Sequence, residues 1–160
     1  MRLHMEKIIN SELPSIYRDK RLSRFLMICE IYKWYLSESN LDINDDFVNQ
    51  AFSLEENKVL KLILKNKTKF ENLISKFLKS NSLKWEQILP LIKAIILFFS
   101  VQISLQDLDG PVLISEALEI SKDLIYEKKE VAFINAILDK ISKFFKELND
   151  YKGNKKESKI

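Results

Sequence analysis

The chain has 160 residues, 46% hydrophobic and 31% charged, with 26 Lys and Arg against 23 Asp and Glu for a formal net charge of +3. Length and balance suit one domain with a true core, exclude an unstructured polyelectrolyte, and permit an anionic partner without demanding one. One cysteine excludes an internal disulfide framework, and one histidine, His4, with no Cys/His spacing leaves zinc without ligands. Only two glycines and three prolines leave few turn signals. Long helices with short links are therefore expected: an all-α, compact bundle of six to seven helices. No apolar run reaches membrane-spanning length, and Met1-Arg2-Leu3-His4 leads into a polar segment unlike a signal peptide. A cytoplasmic, non-membrane protein without a cofactor is the expectation.

In chain order, residues 1–13 read as an N-terminal extension with room for a short helix, and residues 14–148 as the helical domain, with Pro14 marking a start or a break. The first long helix should run from about Ser15 to Ser37, with a core stripe of Leu22, Phe25, Leu26, Cys29, Tyr32 and Leu36. On that stripe Cys29 is a small buried hydrophobe rather than a nucleophile. A polar stretch follows whose Asn44, Asp45 and Asp46 could cap a short helix around Phe47 to Phe52. Across residues 54–79, Val59, Leu60, Ile63, Phe70, Leu73, Ile74, Phe77 and Leu78 line one face, in one long helix or in two divided near Asn66. The next helix is apolar nearly all round and so central. Pro90 within it costs about 3 kcal/mol in a helix interior, which places its start near Leu89 and Trp85 in the preceding turn.

Residues 112–141 then read as two antiparallel amphipathic helices, with Leu113, Ala117, Ile120 and Leu124 on one and Ile134, Ile137, Leu138, Ile141, Phe144, Phe145 and Leu148 on the other. Ala117 with Ser121, and Ala132 with Ala136, sit four apart and offer each helix a shallow seam. The connector Ile125-Tyr126-Glu127-Lys128-Lys129-Glu130 has no glycine, so a helix stop there needs a non-glycine residue or tertiary support. The polar, lysine-rich residues 149–160 read as a disordered tail.

The functional content lies at the start of the first long helix. Arg18, Lys20, Arg21 and Arg24 crowd turns where the helix dipole is already positive, so local stability does not explain them. Lys20, Arg21 and Arg24 share about a third of the helix circumference, away from the core stripe, with Tyr17 near Lys20 and Arg24. Cations beside an aromatic suit single-stranded RNA: guanidinium groups grip phosphates while a ring stacks a base. A merely solvated basic face fits the same pattern. The lysines at 58, 61, 65, 67, 69, 76 and 79 read as the solvated side of their helix, and Asn135 and Asp139, four apart, as either a partner contact or a bond within the bundle.

VLISEALEISK and FINAILDK, at residues 112–122 and 133–140, resemble the C-terminal signature of the NusB family of bacterial antitermination factors, V-x-I-N-E-A-x-E-L-A-K, a short loop, then F-V-N-G-V-L-D-K. Val112, Ile114, Glu116, Ala117, Glu119, Lys122, Phe133, Asn135, Leu138, Asp139 and Lys140 fall in register. Upstream, residues 18–37 resemble the family's arginine-rich run and A-L-Y-x-W-x-L-S, through Tyr32, Trp34, Leu36 and Ser37. The resemblance implies two small helical bundles packed together and no enzymatic activity. It also implies that the protein binds boxA RNA with NusE, the ribosomal protein that also serves transcription, and so acts indirectly on the RNA polymerase elongation complex. Arg18, Lys20, Arg21, Arg24 and Tyr17 would be the RNA contacts, and Glu116, Asn135 and Asp139 candidate partner contacts.

Several positions depart from the pattern. Ser115 replaces Asn, Ala136 replaces Gly, Leu22 and Ser23 interrupt the basic run, and in KAIILFFS Lys93 keeps a basic position while Phe98 or Phe99 replaces an acidic one. An adaptor that keeps the bundle but has lost RNA recognition is therefore the alternative. NusB-like domains also occur fused to RNA cytosine methyltransferases, but this chain is too short for the cofactor domain and lacks a glycine-rich loop.

Overall fold

The computed structural model describes residues 19–37, 49–79 and 82–157. Five helices form there: α1 (Lys20–Leu36), α2 (Leu54–Leu78), α3 (Pro90–Leu105), α4 (Gly110–Leu124) and α5 (Lys128–Glu157), with a 3-10 turn at Trp85–Gln87 and no strand among the described residues. Among the described residues the fold is all-α, with five helices where six or seven were expected for the chain. Two differences from that expectation have identifiable reasons. Residues 54–78 are continuous because the Asn66 side chain donates to the Leu62 carbonyl, 2.9 Å away, instead of capping a break. Of the short helix expected around Phe47 to Phe52, the described part, residues 49–52, is a turn held by the Asn57 side chain. Its amide donates to the carbonyls of Asn49, Phe52 and Ser53 and its oxygen accepts from the Asn49 N–H. The N-terminal extension, Pro14 and the expected caps Asn44, Asp45 and Asp46 lie outside the described residues.

Each helix starts where local chemistry dictates. Asp19 caps α1 by accepting from the Leu22 N–H at 2.7 Å. Ser53 and Glu56 form a reciprocal capping box on α2. Pro90 and Pro111 occupy first-turn positions of α3 and α4, where the missing N–H costs nothing. Trp85 sits in the turn before α3, as Pro90 requires.

Helix α3 runs through the middle and packs on all four others, most extensively on α1 and α5. Its Ile95, Ile96, Leu97 and Phe99 are wholly buried, and Phe98 meets Phe99 edge to face at 5.0 Å. Around it α1 turns a different stripe inward from the one expected. Leu22, Phe25, Met27, Ile28, Ile31 and Trp34 are buried, whereas Leu26, Cys29 and Tyr32 are half-buried and Leu36 is exposed. Apolar residues go most of the way round α1, so periodicity alone left two stripes in competition. Burial still raises the Cys29 thiol pKa and keeps it protonated at neutral pH.

In the hairpin, the expected seam exists on one helix only. Ala117 and Ser121 are fully buried, the Ser121 hydroxyl donating to the Ala117 carbonyl at 2.6 Å. Ala132 and Ala136 face solvent, because Ile134, Ile137, Leu138 and Ile141 take the inward side of α5. The connector stops α4 without a left-handed residue: Ile125 is extended, its N–H bonds to the Ser121 carbonyl at 2.7 Å, and its side chain is buried. The tail expected to lack structure from Asn149 instead continues α5 to Glu157. Extending an already packed helix adds a hydrogen bond per residue without a new nucleus, and Lys, Glu and Asn in this segment do not oppose it strongly.

Candidate nucleic-acid interface at the start of the first helix

Three of the five residues assigned to RNA contact lie in the first turns of α1, and Tyr17 and Arg18 lie outside the described residues. Arg21 forms a two-pronged pair with Glu116 of α4: Nε to Oε1 at 2.9 Å and Nη2 to Oε2 at 3.0 Å. Arg24 Nη1 approaches the same Oε1 at 3.5 Å. The side chains of Arg21, Arg24 and Glu116 are 43%, 17% and 15% exposed, so the cluster sits at the surface with its carboxylate largely covered. The Arg21 hydrogen bond, together with the charges of Arg21 and Arg24, holds the Glu116 carboxyl below its ordinary range. Glu116, a candidate partner contact, is thus the counter-ion of two candidate RNA contacts. Glu119 and Asp123 add further negative charge near Arg21.

Lys20 is exposed on the other flank of α1. There it borders a groove of about 940 Å³ where Asp19, Glu55, Glu56 and Asp107 outnumber Lys20 and Arg24. Like charge makes that groove a poor seat for a polyanion. Among the described residues the cationic surface is therefore Lys20 plus the remaining donors of Arg21, a narrower patch than Lys20, Arg21 and Arg24 side by side would make. Asn135 and Asp139 are exposed on α5, and Asp139 pairs with Lys143 at 3.0 Å rather than with the α1 cluster.

Two arrangements escaped sequence reasoning. Glu71, unremarkable on the face of α2, accepts from the Tyr35 hydroxyl at 3.0 Å and the Trp85 indole at 2.6 Å, and pairs with Lys67 at 3.1 Å. Burial first, then the Glu71 charge, pushes the Tyr35 phenol far above its usual range. Lys93 lies 5.5 Å from the Tyr35 and Trp85 ring centres, which explains a cation on the apolar α3. The second is a groove of about 610 Å³ between α2 and α5, floored by Leu62, Phe70, Leu73, Phe145 and Leu148 and rimmed by Lys69, Lys76 and Lys152. No metal-binding cluster and no helix long and apolar enough to cross a membrane occurs among the described residues.

The NusB family model matches residues 23–143, an interval that includes Arg24 and the whole α4–α5 hairpin motif but not Lys20 or Arg21. Transcription antitermination protein NusB of Campylobacter hominis is 31% identical over 120 residues, covering 68% of this chain and 87% of the relative. No solved structure gives a significant match. With the matched interval spanning four of the five helices in full or nearly so, and the Glu116 hairpin docked on α1, the chain belongs to the NusB family.

Proposed function

We propose that the chain is a non-catalytic, cytoplasmic antitermination factor that, with a NusE-type ribosomal protein, captures boxA-type single-stranded RNA and holds it near RNA polymerase. Tethering raises the local concentration of the other factors and supports processive synthesis of ribosomal RNA. Family membership carries the reading: the family is one of non-enzymatic transcription antitermination factors, and the match runs through the first helix and the hairpin. The geometry refines how RNA would be held. Glu116 fixes the Arg21 guanidinium along one edge, through Nε–H and Nη2–H, and leaves its other N–H donors to meet a phosphate, while exposed Lys20 offers a second charge. Arg18 and Tyr17 would complete the surface.

The same ion pairs favour a second reading, an adaptor that keeps the protein partner without RNA. Glu116, Glu119 and Asp123 neutralise much of the field that a polyanion would feel. Titration of boxA RNA against a scrambled control, with and without NusE and across salt, separates the two. Phosphate contacts by Lys20 and Arg21 give a log–log salt slope of about −1.4 for a single strand, about −2.1 with Arg18 as a third, and Lys20→Ala flattens either by about 0.7. Absence of RNA binding with NusE present makes the chain an adaptor.

A further inference from the structure

The α2–α5 groove shares no residue with the basic start of α1, and neither RNA capture nor the bundle's own stability calls for it. Its floor is apolar and open: Leu148 and Leu105 are 37% and 41% exposed, in contact with solvent where a packed helix pair would cover them. Every ionisable group lining it among the described residues is a lysine, and Lys69, Lys76 and Lys152 have no carboxylate partner. On the adjoining face around Phe77 and Phe144, Lys143 is paired with Asp139 and Lys140 shares the lining with Glu147, so the excess of unpaired positive charge belongs to the groove itself. An unpaired cationic rim around a contiguous apolar floor is complementary to a ligand that is both apolar and acidic.

We propose that this groove docks an amphipathic helix of a partner protein whose apolar stripe is flanked by Asp and Glu. Length fits that occupant, because Leu62 to Lys76 spans about 21 Å along α2, which matches about four turns of a partner helix. The chemistry of the floor favours it over nucleic acid. The phenylalanine rings of the floor contact one another, Phe70 and Phe145 with centres 6.1 Å apart and Phe144 edge to face on Phe145 at 5.1 Å, so part of their surface is already engaged and less is left to stack bases. Leu62, Leu73 and Leu148 instead form sockets for aliphatic side chains. Lysines, as point charges on flexible stems, suit carboxylates arriving at varied positions along a helix.

Fluorescence anisotropy on the full chain tests this with a labelled helical peptide of about 18 residues, leucines at i, i+3, i+4 and i+7 and glutamates on the flanks. The controls are the same peptide with lysine for every glutamate and a labelled oligo-uridine. The glutamate peptide binds and the lysine peptide does not. Leu148→Asp, and separately Lys69→Glu with Lys76→Glu, each weaken binding by about tenfold or more. The lysines are exposed, so the paired charge reversal leaves the core intact, which thermal melts verify. Equal binding by the variants, or no binding of the glutamate peptide, overturns the proposal. So does an oligo-uridine that binds in its place and is lost in the same variants.

Discussion

At the scale of single residues, Glu116 joins two ends of the molecule that the sequence keeps 95 positions apart. Its carboxyl pKa is lowered from 4.5, so the stability it contributes is present above that value and is lost as pH falls through the depressed one. Arg21 is nearly half exposed, which limits the pair to at most about 1 kcal/mol. Urea unfolding of Glu116→Gln should therefore show a modest loss at pH 7 that shrinks as pH falls through the depressed range of the native carboxyl and is gone once that carboxyl is protonated. A gap persisting in acid would mean that shape, not charge, makes the contact. The cations of α1 were legible as a cluster because their spacing is written in the chain. Their counter-ion was not, since nothing local says which of Glu116 and Glu119 a distant arginine will meet. Glu71 is the same case: its three partners come from α1, α2 and the turn before α3.

At the scale of elements, prolines were the most readable signals and small residues the least. Pro90 placed the start of α3 because a ring without an N–H tolerates few other sites. Ala132 and Ala136 misled because alanine suits a solvated helix face as well as a seam. Gly110, the first residue of α4, lies hard against Ser142 of α5. A Cβ added there would lie 2.0 Å from the Ser142 hydroxyl and 3.2 Å from its Cβ. Gly110→Ala should destabilise by about 1 kcal/mol, and most of that loss should disappear in a Ser142→Ala background, as a double-mutant cycle in urea would measure. Additive losses would show that backbone freedom, not the approach, is what the glycine supplies.

For the whole molecule, the central place of α3 was legible because a helix apolar on every side has no solvent face to offer. Its amides should exchange with deuterium only on global unfolding, whereas those of the α5 end beyond Asn149 should exchange orders of magnitude faster, as hydrogen-exchange mass spectrometry would resolve. Comparable protection in both segments would contradict the packing. What the sequence could not convey is how the lysines of α2 are shared out, since a solvated face and a groove rim have the same periodicity. Lys67 became a structural counter-ion, and Lys69 and Lys76 the edge of a groove. The turn between α4 and α5 carries one more implication. Ile125 seals the core from an extended backbone and Tyr126 stands fully in water, so the link demands neither a special residue nor a fixed span. Inserted residues there cost only loop closure, about 0.6 kcal/mol for each doubling. That corner is the natural place to lengthen the chain or attach a reporter while both grooves and the arginine fork stay as they are.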